Sequence, residues 1–355
     1  MKKSIKVLVC DDSALVRQTL TQIINADPQL EVIGVAADPY FAAQKIRSEV
    51  PDVITLDIEM PRMDGLTFLK ALMSQCPIPV VVISSLTQQG SQLALRALEL
   101  GAVEIIAKSD IRNTKEHLEE SCIHVTDAIK AAYLSPVKRM PLTMHTNGEK
   151  PTVKADAGNN QPLPIYKTSD KIIAIGSSTG GTEALRFFLK NIPANGPGIL
   201  ITQHMPAIFT KSFADQVNTL CEVTVKEASD GERVMRGHAY IAPGGKHMEL
   251  YRSGAKYFIR IRGGDLVNRH KPSVDVLFNS VAKHAGQNAL GIILTGMGND
   301  GAEGLLRMKQ AGAKTIAQDE KSCVVFGMPK EAIKLGAADY VMSLQEMPQR
   351  VLAYF

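Results

Sequence analysis

One serine in the middle of this chain stands in a setting that suits nucleophilic chemistry. The apolar run from Lys171 to Ile175 leads directly into the turn Gly176-Ser177-Ser178-Thr179-Gly180-Gly181. A strand that enters a Gly-x-Ser-x-Gly turn lifts one hydroxyl clear of the sheet edge, and the glycines permit the sharp backbone this requires. The position midway between Gly176 and Gly180 favours Ser178 as the nucleophile, with Ser177 as the competing candidate.

A serine nucleophile needs a base and a carboxylate beside it, and two later predicted strands end in such groups. Ile199 to Gln203 predicts a buried strand, and His204 follows it. Ala289 to Thr295 predicts another strand, and Asp300 lies in the glycine-rich segment after it. Because ligand sites of open parallel sheets lie outside the carboxyl ends of the strands, we expect these side chains to meet at one edge.

The three side chains predict hydrolytic chemistry. Ser178 would attack a carbonyl carbon, and His204 would act as general base and then as general acid. Asp300 would orient the imidazole and stabilise its charged form. Backbone N–H groups near the second turn, such as that of Met297, could hold the oxyanion. The chain order Ser, His, Asp differs from the Ser, Asp, His order of α/β-hydrolases.

The second glycine segment also permits a different interpretation. Gly296-Met297-Gly298-Asn299-Asp300-Gly301 matches the G-x-G-x-x-G pattern of dinucleotide-binding folds, and Asp319 lies downstream where a ribose-binding acid is found. An acid at Asp300 beside the turn would repel a pyrophosphate. The segment also lies late in its domain, with little chain left for a nucleotide fold. The pattern therefore favours the hydrolase.

Five polar residues follow predicted strands in the first half of the chain. They are Asp11 and Asp12 after the first strand, Asp57 after the third, Ser84 after the fourth and Lys108 after the fifth. All five should project from one edge of one sheet. Three converging carboxylates make a hard oxygen site suited to Mg²⁺, and a lysine and a hydroxyl beside them suit a phosphoryl group on Asp57.

The chain divides into three parts. Strand and helix patterns alternate through residues 1–134, lapse in the proline- and glycine-rich stretch 135–169, and resume over 170–355. The alternation predicts an α/β fold with two doubly wound parallel-sheet domains, flavodoxin-like and Rossmann-like, joined by a flexible linker. Ser273 is an N-cap candidate for a helix that begins at Val274.

Composition excludes several classes of protein. Among 355 residues, 45% are hydrophobic and 21% charged, and the formal net charge of +4 gives no reason to expect nucleic-acid binding. Five scattered cysteines without C-x-x-C spacing disfavour a disulfide framework and a zinc site. No apolar run is long enough for membrane insertion, and we expect a cytoplasmic location.

The first domain resembles the receiver domain of two-component response regulators over residues 5 to about 125. The matching pieces are Asp11-Asp12, Asp57 with Met60-Pro61 and Asp64-Gly65 after it, Ser84 and Lys108. The resemblance implies that Asp57 accepts a phosphoryl group from a chemotaxis histidine kinase, with Asp11 and Asp12 as Mg²⁺ partners. It also implies that Ser84 senses the phosphoryl group and that Lys108 contacts it.

Two positions depart from the receiver pattern. Ile105 stands where many receivers carry a switch aromatic, and Ser109 follows the lysine where proline is common. The resemblance therefore does not extend to the usual coupling between the hydroxyl and the aromatic.

The second domain resembles the catalytic domain of CheB-type chemotaxis protein-glutamate methylesterases over about residues 170–350. The matching segments are 175–183, 203–206, 241–244, 271–278 and 294–301. The resemblance implies hydrolysis of glutamate methyl esters on methyl-accepting chemotaxis receptors with release of methanol, and in some members deamidation of receptor glutamine. It carries the catalytic roles to Ser178, His204 and Asp300 and places Met297 on the oxyanion side, with no cofactor in this domain.

The domain order suggests how the halves communicate. We expect the unphosphorylated receiver to cover the catalytic edge and phosphorylation to loosen it. The basic segments 269–271 and 246–247 could receive an acidic receptor helix, or could be solvated loop charges. The alternative function is a response regulator whose second domain only binds a protein.

Overall fold

The computed structural model describes residues 4–60, 62–85, 87–111, 118–136 and 171–354. The predicted linker lies outside the described residues except at its first two positions, 135 and 136. No helix in these ranges is both long and apolar enough to cross a membrane.

The first domain is a five-stranded parallel sheet flanked by helices, in the strand order β2-β1-β3-β4-β5. Its strands are β1 (Ile5–Cys10), β2 (Leu30–Ala36), β3 (Val53–Asp57), β4 (Val80–Ser84) and β5 (Glu104–Ala107). Its helices are α1 (Ala14–Ala26), α2 (Pro39–Ser48), α3 (Gly65–Gln75), α4 (Gln88–Glu99) and α5 (Leu118–Leu134), with a 3-10 turn at Lys108–Ile111.

Local sequence signals account for several of these boundaries. Asp38 caps α2 by accepting hydrogen bonds from the N–H groups of Tyr40 and Phe41, and Pro39 occupies the first turn, where its missing N–H costs nothing. Every residue of β3 and of β4 is buried, as expected for central parallel strands covered on both faces.

The second domain is a seven-stranded parallel sheet in the order β14-β13-β12-β6-β7-β9-β8, with an antiparallel β10-β11 pair packed beside it. Its strands are β6 (Ile172–Ser177), β7 (Gly198–Gln203), β8 (Thr224–Glu227), β9 (His238–Ile241), β10 (His247–Ser253), β11 (Lys256–Arg262), β12 (Ala289–Ile293), β13 (Lys314–Gln318) and β14 (Tyr340–Met342). Its helices are α6 (Gly181–Lys190), α7 (Ala207–Asn218), α8 (Val274–His284), α9 (Ala302–Gln310), α10 (Met328–Lys334) and α11 (Met347–Leu352), with a 3-10 turn at Gly286–Asn288. The predicted fold class, two doubly wound parallel-sheet domains, is confirmed.

The register of the central strands determines where the chemistry can occur. β6 lies between β12 and β7, with Gly176 opposite Ile293 on one side and Thr202 on the other. The three strands therefore end at the same edge of the sheet. The segments that follow them carry Ser178, His204 and Asp300 to that edge.

The two domains are docked against each other. Helix α4 of the first domain packs on α7 of the second. Arg186, on α6, donates from Nη1 to Glu99 Oε1 at 3.0 Å, and Gln216 Nε2 donates to the same oxygen at 2.7 Å. Glu99 is the last residue of α4, so one carboxylate of the first domain is held by two side chains of the second.

Candidate functional site

Ser178 occupies the turn between β6 and α6. Its carbonyl accepts from Gly181 N at 2.7 Å, and Gly180 adopts a left-handed backbone (φ 77°), which only glycine tolerates readily. Ser178 is half-buried, whereas Ser177 is fully buried and its hydroxyl donates to Gln203 Oε1 at 2.7 Å. The Ser177 hydroxyl is therefore hydrogen-bonded inside the core, and Ser178 is the serine whose side chain reaches the edge of the sheet.

His204 follows β7 and pairs with Asp300. Its Nε2 lies 2.8 Å from Asp300 Oδ2, and both side chains are buried. Nδ1 of the same ring is also buried and has no hydrogen-bond partner among the described residues. Because Nε2 is paired with Asp300, Nδ1 is the ring nitrogen of His204 that is available to a hydroxyl or to a substrate.

The carboxylate of Asp300 is enclosed by hydrogen-bond donors besides His204. Oδ1 accepts from Asn268 Nδ2 at 2.9 Å and Ser273 Oγ at 2.8 Å, and Oδ2 accepts from Val274 N at 2.7 Å. Burial alone would raise the pKa of Asp300, but the bonds from His204, Asn268 and Val274 hold it well below its usual range. Asp300 therefore stays charged and fixes the imidazole.

Ser273 and Asn268 were not predicted as site residues. Ser273 was expected to cap α8, but its hydroxyl makes no cap bond there and turns to Asp300 instead. Asn268 has a left-handed backbone (φ 51°) and joins Asp275 to Asp300 through its amide. In the local sequence, both residues look like ordinary polar residues of a cap or a loop. Their hydrogen bonds to Asp300 join positions about thirty residues apart, so no short-range pattern reveals them.

A second histidine lies against the imidazole of His204. The rings of His204 and His270 are stacked with centroids 3.6 Å apart and planes 12° apart. Burial, and then the proximity of His204, lowers the pKa of His270 to about 2, so its ring is neutral at physiological pH. Of the basic segment 269–271, His270 is thus a neighbour of His204, while Arg269 is exposed and continues the left-handed backbone (φ 68°).

Met297 lies at the mouth of the same site. It lines one cavity with Ser178 and His204, and no hydrogen bond within the described residues uses its backbone N–H. A free N–H beside a nucleophile is the arrangement that an oxyanion needs. Gly296, just before it, has to be glycine because a Cβ there would come within 2.7 Å of Ser178 Cβ.

The cavity around Ser178 has a volume of about 840 Å³ and is bounded by both domains. The first domain contributes residues of β5 and α5, among them Glu104, Ile105 and His124. The edge of His124 approaches His270, with ring centroids 6.0 Å apart. The first domain therefore covers the sheet edge that carries Ser178 in this structure, as we expected, and Ile105 is part of the cover.

The other polar cluster lies at the carboxyl edge of the first sheet. Carboxylate oxygens of Asp11, Asp12 and Asp57 lie within 4.8 Å of one another. Lys108 Nζ lies 2.7 Å from Asp57 Oδ2 and 3.1 Å from Asp11 Oδ2. The Ser84 hydroxyl is buried and donates to the carbonyl of Gly90 at 3.1 Å, so in this state it is engaged with backbone.

The acidic cluster has the chemistry of a Mg²⁺ site. Burial, and then the charge of Asp11, raises the pKa of Asp57 to about 6 despite the ion pair with Lys108. Burial is the larger cause, and the repulsion between Asp11 and Asp57 adds to it against the opposing charge of Lys108. A divalent cation with oxygen ligands would relieve that repulsion, and Asp11, Asp12 and Asp57 offer the oxygens.

Comparison with known proteins matches both domains. The family model described as CheB methylesterase matches residues 173–351, and the model described as response regulator receiver domain matches residues 7–119. A protein-glutamate methylesterase/protein-glutamine glutaminase from Geobacter metallireducens is 55% identical over 353 residues, which are 99% of each chain. One from Rhizobium johnstonii is 54% identical over 99% of this chain and 98% of its own. The crystal structure of the Thermotoga maritima CheB methylesterase catalytic domain is similar at 42% identity with a TM-score of 0.52, over 53% of this chain and all of that one.

Proposed function

Since this chain belongs to the CheB methylesterase family and carries a response regulator receiver domain, we propose that it removes methyl esters from glutamate side chains of chemotaxis receptors. The names of its relatives support a second activity of the same site, the deamidation of receptor glutamine. The observation that carries the proposal is the buried His204–Asp300 pair opening into the cavity that Ser178 lines.

The geometry suggests a two-step hydrolysis. Ser178 Oγ attacks the ester carbonyl carbon while His204 Nδ1 takes the hydroxyl proton, and the oxyanion is held by the Met297 N–H. Collapse of the tetrahedral intermediate expels the methoxy group, which leaves as methanol with the proton from His204. Water then attacks the acyl-serine, gives a proton to His204, and the collapse releases the glutamate carboxyl group and restores Ser178. Asp300 stays ionised throughout.

Phosphorylation of Asp57 by a chemotaxis histidine kinase would regulate this reaction. Asp11, Asp12 and Asp57 would hold Mg²⁺, which when bound offsets phosphoryl charge. Lys108, paired with Asp57, directly follows β5, the strand that places Glu104 and Ile105 over the cavity. A change of charge at Asp57 therefore acts at one end of the segment that covers the catalytic edge.

Methanol release from methylated receptor membranes tests the proposal. The wild-type protein should release methanol, Ser178→Ala should not, and Ser177→Ala should remain active because Ser177 is a core residue. Acetyl phosphate with Mg²⁺ should raise the wild-type rate and leave that of Asp57→Asn where it was. No release from the wild type under either condition would favour a protein-binding output domain. Equal stimulation of wild type and Asp57→Asn would reject Asp57 as the phosphoacceptor.

A further inference from the structure

The first domain places a carboxylate inside the catalytic cavity. Glu104 is the first residue of β5 and lines the cavity together with Ser178 and Thr179. The hydroxyl of Thr179, the residue directly after the proposed nucleophile, and the imidazole of His204 both lie near enough to this carboxyl group to favour its charged form. Thr179 is itself buried and lines the cavity.

The surroundings of the Glu104 carboxyl group resemble a ligand-binding pocket more than a protein surface. Burial raises the pKa of its carboxyl group, and the hydrogen bonds from Thr179 and the Ile105 N–H, with His204 nearby, act against that rise. No lysine or arginine is among these partners. A half-buried carboxylate without a lysine or arginine partner remains in place only where hydrogen-bond donors receive it.

The chemistry of Glu104 matches that of the proposed reaction product. Hydrolysis of a glutamate methyl ester leaves a glutamate carboxylate beside Ser178, on a side chain of the same length as that of Glu104. We propose that Glu104 occupies the position of the released glutamyl carboxyl group, and that Thr179 is the positioning residue that receives this group from substrate and product. The inference rests on the proposed function and adds to it the subsite that recognises the glutamyl group.

A carboxylate that fills the glutamyl subsite can be distinguished by measurement from one that only helps to cover the cavity. Asp127, on α5, is a second carboxylate of the first domain that lines the same cavity, but its neighbours are Lys130 and Arg269. If the first domain only blocks access, removing either carboxylate should loosen it comparably. If Glu104 fills the glutamyl subsite, its removal should matter far more.

The first test uses the full chain without a phosphodonor. The variants are Glu104→Ala and, as the matched control, Asp127→Ala, and the probe is a fluorophosphonate that labels Ser178. Loss of one hydrogen bond to a charged group predicts labelling about tenfold faster in Glu104→Ala, and a change of less than about twofold in Asp127→Ala. Equal rates in the two variants, or no increase in Glu104→Ala, would overturn the assignment of Glu104. Because labelling needs no receptor, this result is independent of whether methyl esters are the substrate.

The second test addresses Thr179 in the phosphorylated protein. Thr179→Val keeps the shape and loses the hydroxyl, and Thr179→Ser keeps the hydroxyl. We expect Thr179→Val to raise KM for methylated receptor about tenfold, with Thr179→Ser close to wild type, while fluorophosphonate labelling of Ser178 is retained in both. A fall in kcat alone, or an unchanged KM in Thr179→Val, would overturn the role of Thr179. Failure of the wild type to release methanol would instead contradict the proposed function.

Discussion

Ser273→Ala should slow turnover by removing one hydrogen-bond donor from Asp300, the proposed catalytic aspartate. The Ser273 hydroxyl donates to Asp300 Oδ1 at 2.8 Å, and both residues are almost completely buried. In the proposed mechanism Asp300 stabilises the positive charge that His204 acquires in the transition state, so a weaker hold on Asp300 weakens that stabilisation. The lining of the cavity is unchanged, because Ser273 is not one of the residues that line it.

The size of the effect follows from the remaining donors. Loss of a hydrogen bond to a charged group costs about 1.5–3 kcal/mol. Oδ1 keeps the amide of Asn268 and the N–H of Asp275 as donors, so we expect the lower end of that range. Since about 1.4 kcal/mol is a factor of ten in rate, kcat should fall about tenfold while KM stays near that of the wild type.

The assay is steady-state methanol release by the phosphorylated protein, with the thermal midpoint of each variant measured in parallel. Ser280→Ala is the matched control, because Ser280 lies on α8, the helix that Ser273 precedes, and its hydroxyl bonds to the Leu277 carbonyl at 2.7 Å and the Leu250 N–H at 2.8 Å instead of to Asp300. An unchanged kcat in Ser273→Ala, or the same loss in both variants, would refute the reasoning.

Three further predictions concern the cation, the domain interface and the nucleophile turn. Chelation of Mg²⁺ by EDTA should abolish stimulation by acetyl phosphate, because the three clustered carboxylates need a cation before Asp57 can accept a phosphoryl group; full stimulation in EDTA would contradict this. Glu99→Ala should raise the unstimulated rate of methanol release by no more than about fivefold, because solvent screens the half-exposed ion pair of Glu99 with Arg186. An unchanged rate would show that this ion pair does not hold the closed state. Gly180→Ala should lower the thermal midpoint by about 5 °C or more, because the added Cβ would lie 2.4 Å from Val324 Cβ and the backbone has φ 77°. An unchanged midpoint in calorimetry would contradict this predicted strain.

The sequence allowed the catalytic edge to be predicted because its residues obey a local rule. Ser178 and His204 each directly follow a buried strand, and Asp300 follows a third within one loop, so knowing the strands was enough to group them. Asp57 and Lys108 were grouped by the same argument. The periodicity of apolar residues and the caps at Asp38 and Ser13 located the elements themselves.

The features that were missed depend on contacts between distant segments. Ser273 has the sequence appearance of an N-cap, and only the approach of the loop after β12 gives its hydroxyl a better acceptor in Asp300. Glu104 looks like an exposed strand-end acid, because nothing near it in sequence reveals that a second domain covers it. Such positions depend on how distant segments pack within a domain or across the interface, which propensity and periodicity do not encode.

The contacts across the interface are consistent with a switch that one phosphoryl group can operate. The polar ones are the half-exposed pair between Arg186 and Glu99, the hydrogen bond of Gln216 to Glu99, the edge contact of His124 with His270, and the approach of Glu104 to Thr179. Helix α4 also packs on α7, and buried apolar residues of both helices belong to one cluster. A modification at one site can shift an equilibrium only by its differential interaction with the two states, typically about 1–3 kcal/mol. A carboxylate that mimics the product suits such a switch, because receptor glutamyl groups compete for the same donors and favour the open state further.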